Sequence, residues 1–307
     1  MSNQIRLADD LQRSRECEMQ AYLSSMQTIY DRVLQQNSEI YDITAQLTRN
    51  FAEITPDAIL ADSRIVKILR YAIAPSISQM KFGQLLGLKS LTDYESDILQ
   101  PGTAKYRQLS KIAPKLAQFV SENLDHSRFL WLVEELTPQA TPLALHYARQ
   151  WTCSMAADQN AQTQYRNWRK NIQEHAIAST LIELGYTQSD FSGIVNDRSD
   201  IKIGEYTQER KVRGRTIQKA DLVVRSRRNQ QLVLIEAKAV GVEIDSTKRI
   251  KECCDKANDW RSAKSLKNPI ITAVIAGFFT STGIENLQKS QIQIVWEHRL
   301  DDLAEIL

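Results

Sequence analysis

The chain has 307 residues, 42% of them hydrophobic and 25% charged, with a net charge of +2, an ordinary globular composition with enough length for two domains. It contains no apolar run of about eighteen residues and no apolar core behind its first residues, which excludes a membrane span or signal peptide and predicts a cytoplasmic protein without a membrane partner. Four cysteines, Cys17, Cys153, Cys253 and Cys254, show no C-x-x-C spacing and argue against zinc or disulfides.

Residues 1 to 160 read as helical throughout. Met19, Tyr22, Met26, Ile29 and Val33 fall at three-four spacing and predict one amphipathic helix from about 9 to 36, its stripe used for core packing or for a second chain. Thr55, Pro56 and Asp57 form a capped start for a helix that carries Ile59, Ile65, Ile68 and Leu69 before Pro75. A further helix covers Ser78 to Leu86 and stops at Gly87. Gln79, Gly83, Gly87 and Leu88 match the opening of a helix-turn-helix, but Asp93 stands where that motif wants an aliphatic residue. Pro101, Gly102, Pro114, Pro138 and Pro142 then punctuate more helices, among them Ala117 to Asn123 and Leu143 to Ala157.

From about residue 161 helices and strands alternate. A helix from Gln164 to Leu184 ends at Gly185. On it Glu174 shares the stripe of Ile177, Ala178 and Leu181, so it either pairs with Lys170 one turn away or joins a site at the sheet. Ala220 to Val224 and Leu232 to Lys238 are apolar runs rich in Val and Ile, separated by the polar residues Arg225 to Gln231, and predict a β-hairpin. Ser246 caps a helix with Ile250, Cys253, Ala257 and Trp260 on its apolar face and Lys248, Arg249, Lys251 and Lys256 elsewhere. Ile270 to Phe279 reads as a fully buried strand, Gln291 to Trp296 as a last strand, and Leu300 to Ile306 as a closing helix. These elements run α-β-β-α-β-β with a closing helix.

The hairpin carries the chemistry. Residues placed symmetrically about its turn end side by side, so Asp221 and Glu236 converge. Two carboxylates that close call for a cation, and oxygen-only ligands select a hard divalent ion, Mg²⁺ with Mn²⁺ as a substitute, held by Asp221 and Glu236. Lys238 lies two residues beyond Glu236 and so on the same strand face. A metal with a fixed ammonium suits phosphodiester hydrolysis: the ion polarises a phosphoryl oxygen while Lys238 orients water and offsets the developing charge. These residues resemble the PD-(D/E)XK nuclease signature, whose folds often add an acid from the helix before the sheet, here Glu174.

Charge distribution agrees. Residues 1 to 150 carry 16 Lys+Arg against 17 Asp+Glu, and the remainder carries 23 against 20. The stretch 202 to 228 alone has nine basic residues and three acids, so positive charge brackets the two carboxylates. Arg213, Arg215 and Lys219 are its candidate DNA contacts. Lys248 and Arg249, just past the catalytic strand, either contact phosphates, orient Glu252, or form a solvated face. His298 is read as structural.

The runs from Ser246 to Glu252, Lys256 to Arg261, Ile271 to Phe279, Asn286 to Ser290 and Ile294 to His298 resemble the XamI-type restriction endonucleases, as do Leu124 to Leu132 and Gln162 to Asn167. Asp221, Glu236 and Lys238 match the family's catalytic pattern. One departure stands out: the family's Glu-Cys-Lys is Glu236-Ala237-Lys238 here, and the middle residue offers only its carbonyl. The resemblance implies a type II restriction enzyme that cuts double-stranded DNA at a short palindrome with Mg²⁺, on an α/β nuclease core with a mixed central sheet over residues 161–307. Residues 1–160 then form a helical domain for DNA recognition or dimerisation. A palindrome further implies a homodimer and a cognate DNA methyltransferase as genomic neighbour. The competing readings are a structure-selective or repair nuclease of resolvase type and a non-catalytic DNA-binding protein on a nuclease fold.

Overall fold

Helix formers and buried stripes at three-four spacing build the first part of the chain. The structure, a computed structural model, describes residues 3–133 and 140–307. The helices are α1 (Asn3–Leu47), α2 (Pro56–Ala61), α3 (Ile65–Ala72), α4 (Gln79–Leu85), α5 (Thr92–Ser96), α6 (Ala104–Glu122), α7 (Pro142–Glu183), α8 (Glu243–Arg261), α9 (Ser281–Lys289) and α10 (Leu303–Ile306). The strands are β1 (Thr187–Gln188), β2 (Glu205–Arg213), β3 (Ile217–Arg225), β4 (Leu232–Val240), β5 (Ile270–Gly277) and β6 (Gln293–Trp296). No described helix is long and apolar enough to cross a membrane.

Two compact units emerge. Met26–Gln164 forms one, and Tyr165–Leu307 together with Met1–Ser25 forms the other. The helical unit is built on α2, α3 and α6, with Ile59, Ile65, Ile68, Leu69, Leu109 and Leu116 fully buried. Thr55 caps α2 by accepting from the Ala58 N–H, as its sequence predicts, but the helix breaks after Ala61 and resumes as α3. Ser78 caps α4. The next helix, α5, is a single five-residue turn, which is too short to serve as the second helix of a helix-turn-helix. Pro114 does not end a helix. It lies inside α6 on the exposed side, so the carbonyl it frees at exposed Ser110 faces water.

Two long helices exceed their predicted bounds for one reason. The buried stripe of α1 continues through Asn37, Tyr41 and Thr44 and, nearer its start, through Ser14 and Glu18. Polar residues in a buried stripe hide it from a reading by hydrophobicity, while Met19 and Tyr22 of the expected stripe are 53% and 39% exposed. Likewise α7 is continuous where a gap is expected between Ala157 and Gln164: buried Ala161 carries the stripe through it, and polar Thr152, Arg169 and Gln173 share the buried face on either side. It ends as predicted at Gly185, where φ is +84 and the Tyr186 N–H bonds back to the Leu181 carbonyl.

The second unit is a mixed sheet in the order β1-β2-β3-β4-β5-β6. The pairs β2–β3 and β3–β4 are antiparallel, whereas β1–β2, β4–β5 and β5–β6 are parallel. On one face Ile177, Ala178 and Leu181 of α7 pack with Leu222, Val224 and Ile235. On the other Ile250, Cys253, Ala257 and Trp260 of α8 pack with Val223, Leu232, Leu234 and Ile275. The unit is therefore α+β in composition, with β1, β2 and α9 additional to the elements expected from sequence. Thr280 caps α9, and Ile284 and Leu287 bury it. The helix expected to start at Ser246 starts at Glu243, and the Ser246 hydroxyl donates to the Glu243 carbonyl instead of capping.

The first turns of α1 belong to this unit through polar contacts. The Gly277 N–H donates to Ser14 Oγ at 2.8 Å, and Glu18 accepts from Tyr165 Oη at 2.9 Å and Arg169 Nε at 2.7 Å. Gly277 has φ +92, and a Cβ there would sit 2.1 Å from the Val240 carbonyl oxygen, so only glycine fits this crossing.

Candidate active site

The site forms where the β3–β4 hairpin parts. Registered pairs run from Arg225↔Leu232 to Leu222↔Ile235, and the next step brings Asp221 opposite Glu236. On its other side Asp221 faces Glu209, which has φ +51 between the pairs Gln208↔Leu222 and Arg210↔Ala220. A left-handed residue in a strand costs on the order of 1 kcal/mol and bends it locally. Asp221 answers the parted ladder with its side chain: Oδ2 accepts from the Ala237 N–H at 2.9 Å. The two acids predicted from the hairpin are thus tied together through the residue that follows the second of them.

Lys238 closes the group. Its Nζ lies 2.6 Å from Glu236 Oε2 and 3.5 Å from Asp221 Oδ2. Burial works to discharge this lysine, but the charges of Glu236 and Asp221 outweigh it and hold its pKa above the ordinary lysine value. The lysine is therefore an ammonium at neutral pH. Glu236 is 0% exposed, and an unpaired carboxylate at such depth is not tolerated.

Glu174 approaches from α7. Its pKa is raised, first by burial and then by the neighbouring Asp221 charge, with Lys170 acting against both. Lys170 Nζ is 3.2 Å from Glu174 Oε1, yet no donor is aligned on that buried oxygen. Lys170 also reaches Glu209 at 3.3 Å, and Glu209 holds Lys219 at 2.6 Å. Both readings of Glu174 therefore have a physical basis: it pairs with Lys170, and it feels Asp221.

Lys256 is the residue that sequence reasoning placed elsewhere. The sequence pattern puts it off the apolar face of α8, but its Nζ is 2.8 Å from both oxygens of Glu236 and 2.7 Å from the Lys219 carbonyl oxygen. The available signal was spacing. Lys256 is three residues past Cys253 and four before Trp260, so it borders the buried stripe. Cys253, beside the site, has its thiol pushed up to about 12 by burial and by Glu236, which leaves it a packing residue rather than a nucleophile.

The remaining candidates lie outside this cluster. Arg213 is exposed and donates to Asn196 Oδ1 at 2.6 Å, Arg215 is exposed, and Lys219 pairs with Glu209. Lys248 is exposed on α8, and Arg249 pairs with Glu252 at 3.1 Å. His298 Nε2 lies 3.1 Å from Asp10 Oδ1 and is structural.

Among the described residues no three acidic, histidine or cysteine side chains converge as a ready-made metal cage. The donors nonetheless suit a hard divalent ion that keeps most of its water: two carboxylates joined through Ala237, and a third whose buried oxygen has no aligned donor. Ammonium groups occupy both Glu236 oxygens, so an incoming ion meets them there.

Comparison with known proteins places this geometry in context. Residues 49–296 match the family model described as XamI restriction endonuclease. The chain is also 26% identical to the type II restriction enzyme SalI of Streptomyces albus G over 305 residues, 96% of this chain and 95% of the relative. Both likenesses span Asp221, Glu236, Lys238 and Lys256.

Proposed function

Because the chain belongs to the XamI restriction endonuclease family and is therefore a site-specific deoxyribonuclease, we propose that it cuts duplex DNA at a short palindrome in a Mg²⁺-dependent reaction on a PD-(D/E)XK core. Asp221, Glu236 and Lys238 are its chemical centre. The observation that carries this reading is their closure at the opening of β3 and β4, with the Ala237 N–H on Asp221 and the Lys238 ammonium between the two carboxylates.

Each residue has a part that follows from its surroundings. Asp221, Glu236 and the Ala237 carbonyl would hold the ion, with Glu174 as a further acid from α7. When bound, the ion supplies Lewis-acid polarisation of a phosphoryl oxygen and lowers the pKa of water that it holds. Lys238, kept charged by its neighbours, orients the attacking water and offsets charge on the phosphorane. Asp221, fixed through Oδ2 and the Ala237 N–H, keeps its orientation as the charge changes. Exposed Arg213, Arg215, Lys248 and Arg249, with Lys219, supply the cations that phosphate backbones reward by counterion release.

The test is digestion of a plasmid with Mg²⁺, with Mn²⁺ as a substitute and Ca²⁺ for binding without cutting. Discrete fragments support the restriction reading, and a smear or nicks alone would move it to a structure-selective nuclease. A palindrome read by two identical half-sites calls for two chains per duplex, which light scattering with bound DNA measures. An adjacent methyltransferase gene fits the same reading, since the host genome needs protection.

A further inference from the structure

Glu236 carries one ammonium more than its charge requires. It is 0% exposed and Lys238 alone, at 2.6 Å, closes a buried ion pair. Lys256 adds a second contact to Oε2 and takes Oε1 as well. Asp221, Glu236, Lys238 and Lys256 together are neutral, so a divalent ion would bring the group to +2, opposite to the charge that builds on a phosphodiester under attack.

Lys256 is also the member of this group best able to leave. Its side chain is 23% exposed, against 13% for Lys238 and 0% for Glu236. It hangs from α8 by a flexible stem, and its other partners remain when Glu236 lets go: the Lys219 carbonyl at 2.7 Å and the Trp260 ring at 5.7 Å. Lys238, by contrast, is held between both carboxylates of the site.

We propose that Lys256 is a positioning residue acting as a resident counter-cation of Glu236, which a divalent ion must displace, so that its charge sets the metal concentration the enzyme requires. This rests on the reading of Asp221 and Glu236 as metal-holding groups. The direction of the effect separates it from a structural role. A lysine that merely orders Glu236 would weaken metal binding on removal, whereas a competitor for the same oxygens strengthens it.

The experiment is Mn²⁺ binding to the full chain without DNA, followed by the electron paramagnetic resonance of free Mn²⁺. Lys256→Met, which keeps the stem and removes the charge, is expected to bind Mn²⁺ about tenfold more tightly or better than wild type, since a unit charge a few ångströms from the ion is lost. Lys256→Arg is expected to stay within about threefold of wild type. Lys256→Gln, which retains a donor for the Lys219 carbonyl, carries the same expectation of tighter binding should the methionine variant not fold. Unchanged or weaker binding in the neutral variants, beside clear binding by wild type, overturns the role of Lys256 alone. Binding by wild type no better than by Asp221→Asn overturns the metal reading of the site and this inference with it.

Discussion

Buried charge is handled in two ways in this molecule. In the helical unit the two buried arginines, Arg70 and Arg128, are closed. Arg70 meets Glu95 at 2.7 and 3.1 Å and gives its remaining nitrogen to the Ile77 carbonyl, while Gln79 completes Glu95. Arg128 is divided among Asp125, Thr152 and the Ile73 carbonyl. These groups staple loops to helices and leave nothing unanswered. In the sheet unit the charges around Asp221 remain open: Glu236 has two ammoniums, and Glu174 has a buried oxygen without an aligned donor. Closed charge specifies a fold, and charge left unbalanced in position is what a ligand can use.

Substitutions sharpen that contrast. The largest effect is expected at the open cluster, where Asp221→Asn, Glu236→Gln and Lys238→Ala should each lower the cleavage rate by about a thousandfold or more, because each group supplies several kcal/mol to the transition state. Duplex binding should persist in a gel-shift assay. Cleavage by Lys238→Ala at the wild-type rate and equal Mg²⁺ would remove this lysine from the mechanism.

At the closed pair the loss should be of stability. Arg70→Met strands Glu95 in the core and is expected to cost about 3–5 kcal/mol in denaturant unfolding, and adding Glu95→Leu should recover most of it. The folded fraction should cut DNA at the ordinary rate. A rate loss that persists in the double variant would end the distinction between the two regions.

Glu18→Ala tests whether the first turns of α1 belong to the sheet unit. Tyr165 Oη loses its acceptor and Arg169 keeps only Glu297, so a loss of about 2 kcal/mol is expected despite the distance in sequence. A neutral result would detach this segment from the unit.

The smallest effect concerns pH. Burial and then Asp221 raise the Glu174 pKa in the folded state. A group raised on folding favours the fold below its unfolded pKa, and that contribution is lost as pH rises through the folded value. Ionised Glu174 therefore weighs against the fold at neutral pH. Glu174→Gln, without divalent ions, should melt higher than wild type there, and the gap should close as pH falls toward about 4. A pH-independent gap would contradict a strained carboxylate. If Glu174 also helps hold the ion, Glu174→Ala should raise the Mg²⁺ needed for cleavage.

The residues divide by how local their cause is. Asp221, Glu236 and Lys238 were legible because a hairpin's register follows from its turn and a strand's faces alternate with period two, so local chain geometry alone sets these three beside one another. Thr55, Ser78 and Gly185 were legible for the same reason, since a cap acts within one turn. The lengths of α1 and α7, and the place of Ser14 and Glu18 against residues about 150 or more positions away, were not. Their stripes are polar, and a buried Glu18 is stable only because Tyr165 and Arg169 arrive to pair with it. Lys256 is the sharpest case. By pattern it is a surface lysine of an amphipathic helix, and only the packing of α8 across the parted hairpin brings its ammonium to Glu236. The sequence by itself determined which two acids and which lysine share a strand pair, because those are consequences of backbone periodicity. The tertiary structure decided what neutralises them, because a buried carboxylate takes its counter-charge from whatever element packing brings within reach.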